Sequence, residues 1–191
     1  MQRISLAEIS HSIVRERLKS GDTAIDATLG NGHDCLFLAE CVGEAGHVYG
    51  FDIQAQAIES SRQRLLQQHL DRRTTFIQAS HADMREFIPV VLQGRITVIM
   101  FNLGYLPGTD KTVMTQTKST LQAIEVSCGL LATNGLITVM AYPGHTGGDE
   151  ETRSVQSWLQ KVDSSQFSVD TIFSQHHQEQ APRLFVLRKL A

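Results

Sequence analysis

The chain has 191 residues, 41% hydrophobic and 19% charged, a balance that supports one compact domain with a buried core and excludes a chain kept disordered by its charge. Seventeen basic against twenty acidic residues leave a net charge of -3, which excludes non-specific nucleic-acid binding driven by bulk positive charge. No apolar run reaches the ~18 to 20 residues that crossing a bilayer demands, the opening MQRISLAEIS lacks the apolar block of a secretion signal, and the three cysteines Cys35, Cys41 and Cys128 show no CxxC spacing. A cytoplasmic protein with free thiols and no membrane association is expected.

Short β-branched runs alternate with longer helical stretches, the pattern of an α/β domain. Within residues 1–20, Leu6, Ile9, Ile13 and Leu18 recur at helical spacing, with Ser5 as N-cap and Gly21 just past the end, predicting an amphipathic helix that packs on the core. Thr23 to Ala27 reads as the first strand, followed by a helix from about Asp34 to Cys41 and a second strand from Gly46 to Phe51, ending at Asp52. A crossover helix over Ala55 to Leu70 leads to strands around Thr75 to Gln78 and from Ile96 to Phe101. Lys118 to Leu131 reads as helix, with Asn134-Gly135 as the turn into a fifth strand, Leu136 to Met140. Glu151 to Val162 is again helical, and strands at Phe167 to Phe173 and Arg183 to Arg188 close the chain. The connection between these last two strands, SQHHQEQAP, is too short for a helical crossover, so they should pair antiparallel. The expectation is a single domain over 1–191: a Rossmann-like, seven-stranded, mostly parallel sheet with a terminal antiparallel strand and helices on both faces.

The strongest local signal is the run Asp26-Ala-Thr-Leu-Gly30-Asn31-Gly32-His-Asp34 between the first strand and its helix. Glycines there let the backbone approach a ligand closely, and the helix N-terminus offers it unpaired N–H groups. Twenty-two residues after Gly30, Asp52 ends the second strand, where a carboxylate can accept hydrogen bonds from ribose hydroxyls, so a ribose-bearing cofactor is indicated. A dinucleotide fingerprint would need a third glycine where Cys35 stands, and Asp26 would repel a pyrophosphate. A carboxylate suits instead the ammonium of an amino-acid moiety, as in S-adenosylmethionine. A second run, Phe101-Asn102-Leu-Gly-Tyr105-Leu-Pro107-Gly108, ends the fourth strand and should face the loop of Gly30 across the crevice at the carboxyl edge. There the Asn102 side-chain oxygen can hold a substrate amine while the Tyr105 ring stacks on a base. A third, Ala141-Tyr142-Pro143-Gly144-His145, follows the fifth strand, and His145 could orient or deprotonate an incoming amine. His145, Asp149 and Glu150 fall within six residues with no remote ligand, so no metal is assigned. His11, His47, His69, His176 and His177 read as ordinary surface or loop residues, whereas His81, in SHAD after the third strand, is placed to meet an adenine. Arg62, Arg64, Arg72 and Arg73 read as a solvated helix face, while Lys111 and Lys118 lie near enough to the crevice to hold RNA phosphates.

Taken in order, DATLGNGHD, GFDIQ, NLGYLPG with the following DK, YPGHTGGDEE and APRLFVLRK resemble the rRNA methylase family of small class I S-adenosylmethionine-dependent methyltransferases, over nearly the whole chain. Members of that family from Gram-positive bacteria convert 5-aminomethyl-2-thiouridine at the tRNA wobble position to 5-methylaminomethyl-2-thiouridine, so the resemblance implies N-methylation of an aliphatic amine in a tRNA anticodon loop. It also implies that Asp26, Gly30, Asn31, Gly32 and Asp34 frame the methionine part of S-adenosylmethionine, Asp52 and Gln54 the ribose and adenine edge, and Ser80 and His81 the adenine. Asn102, Tyr105 and His145 would face the substrate. A homodimer would enlarge the surface offered to RNA. Three alternatives share part of these motifs: methylation of an rRNA or other RNA base amine, a non-catalytic cofactor-binding partner protein, and a nicotinamide-dependent oxidoreductase, which Cys35 and the terminal hairpin oppose.

Overall fold

The computed structural model describes residues 4–104, 115–144, 147–174 and 180–191. Helix α1 (Leu6–Arg17) begins at a capping box in which the Ser5 hydroxyl accepts the Glu8 N–H and the Glu8 carboxylate accepts the Ser5 N–H at 2.7 Å. Then follow β1 (Thr23–Asp26), α2 (His33–Val42), β2 (His47–Asp52), α3 (Ala55–Gln67), β3 (Thr74–Gln78), the single-turn α4 (Met84–Phe87), β4 (Ile96–Asn102), α5 (Thr117–Leu130), β5 (Leu131–Ala141), α6 (Gly148–Leu159), β6 (Phe167–Phe173) and β7 (Arg183–Lys189). Each expected element is found, with ends displaced by a few residues. The short α4 and the 3₁₀ turns beside it carry too few residues to show a period in the sequence.

The strands form one seven-stranded sheet in the order β3-β2-β1-β4-β5-β7-β6. All pairings are parallel except those of β7, which runs antiparallel to β5 on one side and to β6 on the other. The chain winds outward from β1 to β3, then returns to start β4 on the other side of β1, so the carboxyl ends of β1 and β4 flank the topological switch point.

Alternation along the strands assigns the two faces. Ile25, Ile99, Phe101, Ile137, Val139 and Phe185 pack against α4, α5 and α6, through Met84, Ala123, Ile124 and Val155 among others. Ala24, Val98, Met100, Leu136, Met140 and Val186 point the other way, onto Leu6 and Val14 of α1, Leu38 of α2 and Leu65 of α3. Both clusters are closed to solvent, which is why β4, at the centre, has six consecutive buried residues, all apolar but Thr97.

One boundary differs from the sequence reading. Asn134-Gly135 is not a turn that precedes a strand: β5 starts at Leu131 and runs through the pair, its register against β4 slipping from Ile96–Leu131 to Val98–Leu136. Asn134 takes the left-handed conformation, φ 61°, and the chain absorbs the extra residues as a bulge rather than ending the ladder. Local turn chemistry was read correctly, but pairing with β4 on the near side of the bulge overrode the strand start.

Candidate active site

At the switch point the loop from Asp26 to Asp34 is held by its backbone on both sides. Ala27 N–H donates to Met100 O at 2.8 Å and Leu29 N–H to Phe51 O at 2.9 Å, tying the loop to β4 and β2. From α3, the Ser61 hydroxyl donates to Gly30 O at 3.2 Å and the Arg64 guanidinium to Asn31 O at 2.6 Å. Gly32 closes the turn as N-cap of α2 with φ 76°, and a Cβ there would stand 2.7 Å from the Ser61 Cα, so only glycine fits.

Asp52 ends β2 with both carboxylate oxygens turned to backbone donors, Gly30 N–H at 3.0 Å and Gln54 N–H at 2.9 Å. The carboxylate thus fixes the loop as well as facing the cavity beside it. Asp26 is 1% exposed. Its Oδ1 accepts the Thr28 N–H at 3.1 Å, and its Oδ2 has no partner among the described residues. Burial pushes its carboxyl well above the usual range, and the charges of Asp34 and Asp52 push it further against the pull of the Thr28 amide. A buried, orphaned carboxylate oxygen backed by two more carboxylates is an environment short of a cation, and the ammonium and sulfonium of S-adenosylmethionine fit that need.

These elements enclose a cavity of about 760 Å³. Of the sequence-predicted residues, Gly30, Asn31, Asp34, Asp52, Gln54, Ser80, His81 and Asn102 line it. Asp26 is buried and does not line it, and Gly32 shapes the turn without lining it. Tyr105 and His145 lie outside the described residues, as do Pro107, Gly108, Lys111, His176 and His177. Ser80 caps the short turn after β3 by accepting the Ala82 N–H at 3.2 Å. His81 is buried with Nδ1–H donating to Ala27 O at 3.3 Å and its ring edge-on to Phe101, and burial lowers its pKa, so the imidazole is neutral near pH 7. Asn102 ends β4 beside the loop, its N–H bonded to the Thr28 hydroxyl at 2.7 Å, which locks the end of β4 to the β1 loop.

Several lining residues were missed. Thr28, His33, Thr115, Gln116, Ser119 and Tyr142 all reach the cavity. Tyr142 follows β5 at the carboxyl edge, and the switch-point rule applied to the strand end would have found it. Burial, and then the charge of Asp34, raise its phenol pKa, which keeps it a hydrogen-bond donor. His11 is not an ordinary surface residue: it lies 2.7 Å from Asp34 Oδ1 through Nε2 and stacks on Phe37 with ring centres 3.9 Å apart. No sequence signal links positions so far apart. The arginines serve structure: Arg64 holds Asn31, Arg73 donates to Ala39 O at 3.0 Å, and Arg62 lies over Phe76. Lys118 is exposed on α5. Among the described residues no cluster of His, Cys, Asp and Glu is arranged to hold a metal, and no helix is long and apolar enough to cross a membrane.

Comparison with known proteins gives four points of reference. Residues 48–188 match the family model described as "Putative rRNA methylase". The chain is 36% identical over 165 residues to the chloroplastic tRNA (mnm(5)s(2)U34)-methyltransferase of Arabidopsis thaliana, an alignment covering 82% of this chain and 59% of that one, so it spans about three fifths of its relative's length. Among solved structures, one of the same description as the family model, from Clostridium thermocellum, superposes with a TM-score of 0.93 at 37% identity over 100% of both chains. A Streptococcus mutans protein described in similarly provisional terms as a methyltransferase, solved with SAH, gives 0.87 at 30% identity over 99% of this chain and 100% of its own.

Proposed function

This chain belongs to the rRNA methylase family, and on that premise we propose that it is a cytoplasmic S-adenosylmethionine-dependent RNA methyltransferase that methylates the aminomethyl nitrogen of 5-aminomethyl-2-thiouridine at the tRNA wobble position. Its fold is the Rossmann-like class I methyltransferase fold, and its cofactor is S-adenosylmethionine. The observation that carries the chemistry is the crevice at the switch point, lined by the loop that ends at Asp34 and by Asn102 at the end of β4. The likeness to the Arabidopsis protein supports the wobble uridine as target.

S-adenosylmethionine supplies an electrophilic methyl on a sulfonium. Asp26 and Asp34 would meet its cationic amino-acid end, and Gly30, Asn31 and Gly32 let the backbone come close to it. Asp52 and Gln54 would meet the ribose, and Ser80 with the neutral His81 the adenine. At the end of β4 Asn102 would accept a hydrogen bond from the incoming amine, aiming its lone pair in line with the methyl. An alkyl amine is largely protonated near pH 7, so the acceptor side must favour the free base. His145 would take the ammonium's proton, Asn102 would then accept a hydrogen bond from the neutral –NH₂, and the Tyr105 ring would stack on the base. No covalent enzyme intermediate is required, and transfer of this kind is chiefly positioning.

The test is methyl transfer from labelled S-adenosylmethionine to tRNA carrying 5-aminomethyl-2-thiouridine, with rRNA in parallel and nucleoside mass spectrometry of the products. The expected product is 5-methylaminomethyl-2-thiouridine in tRNA. Label only in rRNA would assign the chain the activity its family description names, and cofactor binding without label in either would overturn the RNA reading. Asp52→Ala should lose cofactor binding, whereas Asn102→Ala should keep binding and lose transfer.

A further inference from the structure

Glu151 is 3% exposed in the first turn of α6, and both its carboxylate oxygens are engaged. The Thr115 hydroxyl donates to Oε2 and the Thr120 hydroxyl to Oε1, each at 2.7 Å. Thr115 Oγ1 also accepts the Gly104 N–H at 3.0 Å, while the Thr115 N–H donates to Gly104 O at 2.8 Å. A hydroxyl has one proton, and because the Thr115 oxygen receives the Gly104 amide that proton is directed to Glu151. The polarity of the chain from Gly104 through Thr115 to Glu151 is therefore fixed, and only a group that accepts at both oxygens completes it. The start of α6 adds to this, since the first turn of a helix favours a carboxylate.

The place of this network is what gives it a role. Gly104 and Thr115 are the described residues on either side of the 105–114 segment, and both line the cavity, as do Asn102 and Leu103 just before them. Glu151 itself is not among the residues lining the cavity, and its side-chain hydrogen bonds go to Thr115 and Thr120. A carboxylate buried with no cation beside it among the described residues is a costly way to hold two threonines, and a fully satisfied buried polar network gains its value by imposing a single geometry.

We propose that Glu151 is a positioning residue for the methyl acceptor: through Thr115 and Gly104 it sets the part of the crevice that follows Asn102, making no hydrogen bond of its own to the cofactor loop. This rests on the methyltransferase reading above. Methyl transfer and cofactor binding can be separated by experiment. Glu151→Gln replaces one acceptor by a donor facing a hydroxyl that already donates. It should lower kcat/KM for tRNA carrying 5-aminomethyl-2-thiouridine by tenfold or more while the S-adenosylmethionine and SAH dissociation constants stay within twofold. Thr115→Val, which keeps the shape and removes the hydroxyl, should repeat that split, and Thr115→Ser, which keeps the hydroxyl, should restore kcat/KM to within threefold of wild type. This Val–Ser pair carries the test on its own if Glu151→Gln fails to fold. Wild-type transfer with an unchanged kcat/KM in Thr115→Val, or a loss of cofactor affinity as large as the loss of transfer, would overturn the positioning role alone. Absence of methyl transfer by the wild-type chain would overturn the reading on which it rests.

Discussion

Gly32→Ala is the most informative single perturbation, because the structure separates its two costs. At φ 76° an L-residue sits in the left-handed region, at about 1–2 kcal/mol. In addition, the new Cβ would lie 2.7 Å from the Ser61 Cα and 2.9 Å from its Oγ, closer than real contacts, with backbone rather than a flexible tip as the obstacle. Forcing a methyl into such a place costs roughly 1–3 kcal/mol, so the total is about 2–5 kcal/mol. For a chain of this size each kcal/mol moves Tm by about 2–4 °C, giving a fall of roughly 4–20 °C. Gly21→Ala is the control: its φ is 92°, but a Cβ there meets nothing within 4 Å, so it should show the backbone cost alone, about 1–2 kcal/mol. Thermal unfolding of the two variants side by side, each with and without S-adenosylmethionine, makes the comparison. The Gly32 variant should lose the larger share of stability and most of the stabilisation by the cofactor, whose loop it displaces. Equal falls in Tm for the two would refute the claim that Ser61 limits this turn, and an undiminished cofactor shift in the Gly32 variant would refute its place at the cofactor wall.

Asp26 makes the protein without cofactor sensitive to pH: its folded-state pKa is raised, so its stabilising contribution is complete below the unfolded value near 3.8 and is lost as pH rises through the folded value. Tm of the wild type should therefore fall more steeply from about pH 4 upward than that of Asp26→Asn, and parallel curves would contradict it. Asp26→Asn should also weaken binding of S-adenosylmethionine and SAH by similar factors, since both carry the ammonium that Asp26 would meet, read by calorimetric titration. His11→Ala removes a hydrogen bond to a carboxylate and a ring stack, a loss of about 1–3 kcal/mol, and frees Asp34 to turn; urea unfolding should show it, with cofactor affinity falling as well, whereas an unchanged midpoint would show the pair to be without weight. The Cys128 thiol is pushed up to about 11 by burial, and Cys35 and Cys41 are also raised, so none should react quickly with a thiol reagent at pH 8 in the folded protein. A fast stoichiometric reaction before unfolding would refute that.

The sequence by itself determined the architecture and one wall of the crevice. Period-two and period-3.6 patterns follow from side-chain geometry within a single element, so strands such as Ile96–Phe101 and helices such as Lys118–Leu131 were placed to within a few residues. The short connection between the last two strands set their antiparallel pairing, because no crossover fits there. The glycine run after β1 and Asp52 after β2 were legible for the same reason: each lies in a contiguous run at a strand end, where the fold rule locates ligands. What only tertiary structure decided is whatever joins distant positions. His11 and Asp34 come from separate helices, Glu151 reaches Thr115 and Thr120 from α6, and Arg64 serves the Asn31 carbonyl rather than solvent. Such partners share no local period, since a hydrogen bond is set by where packed elements bring two atoms and not by their separation along the chain. Asn134-Gly135 marks the same boundary from the other side: its turn chemistry is local and visible, but whether it ends a strand or bulges within one depends on the neighbour it pairs with.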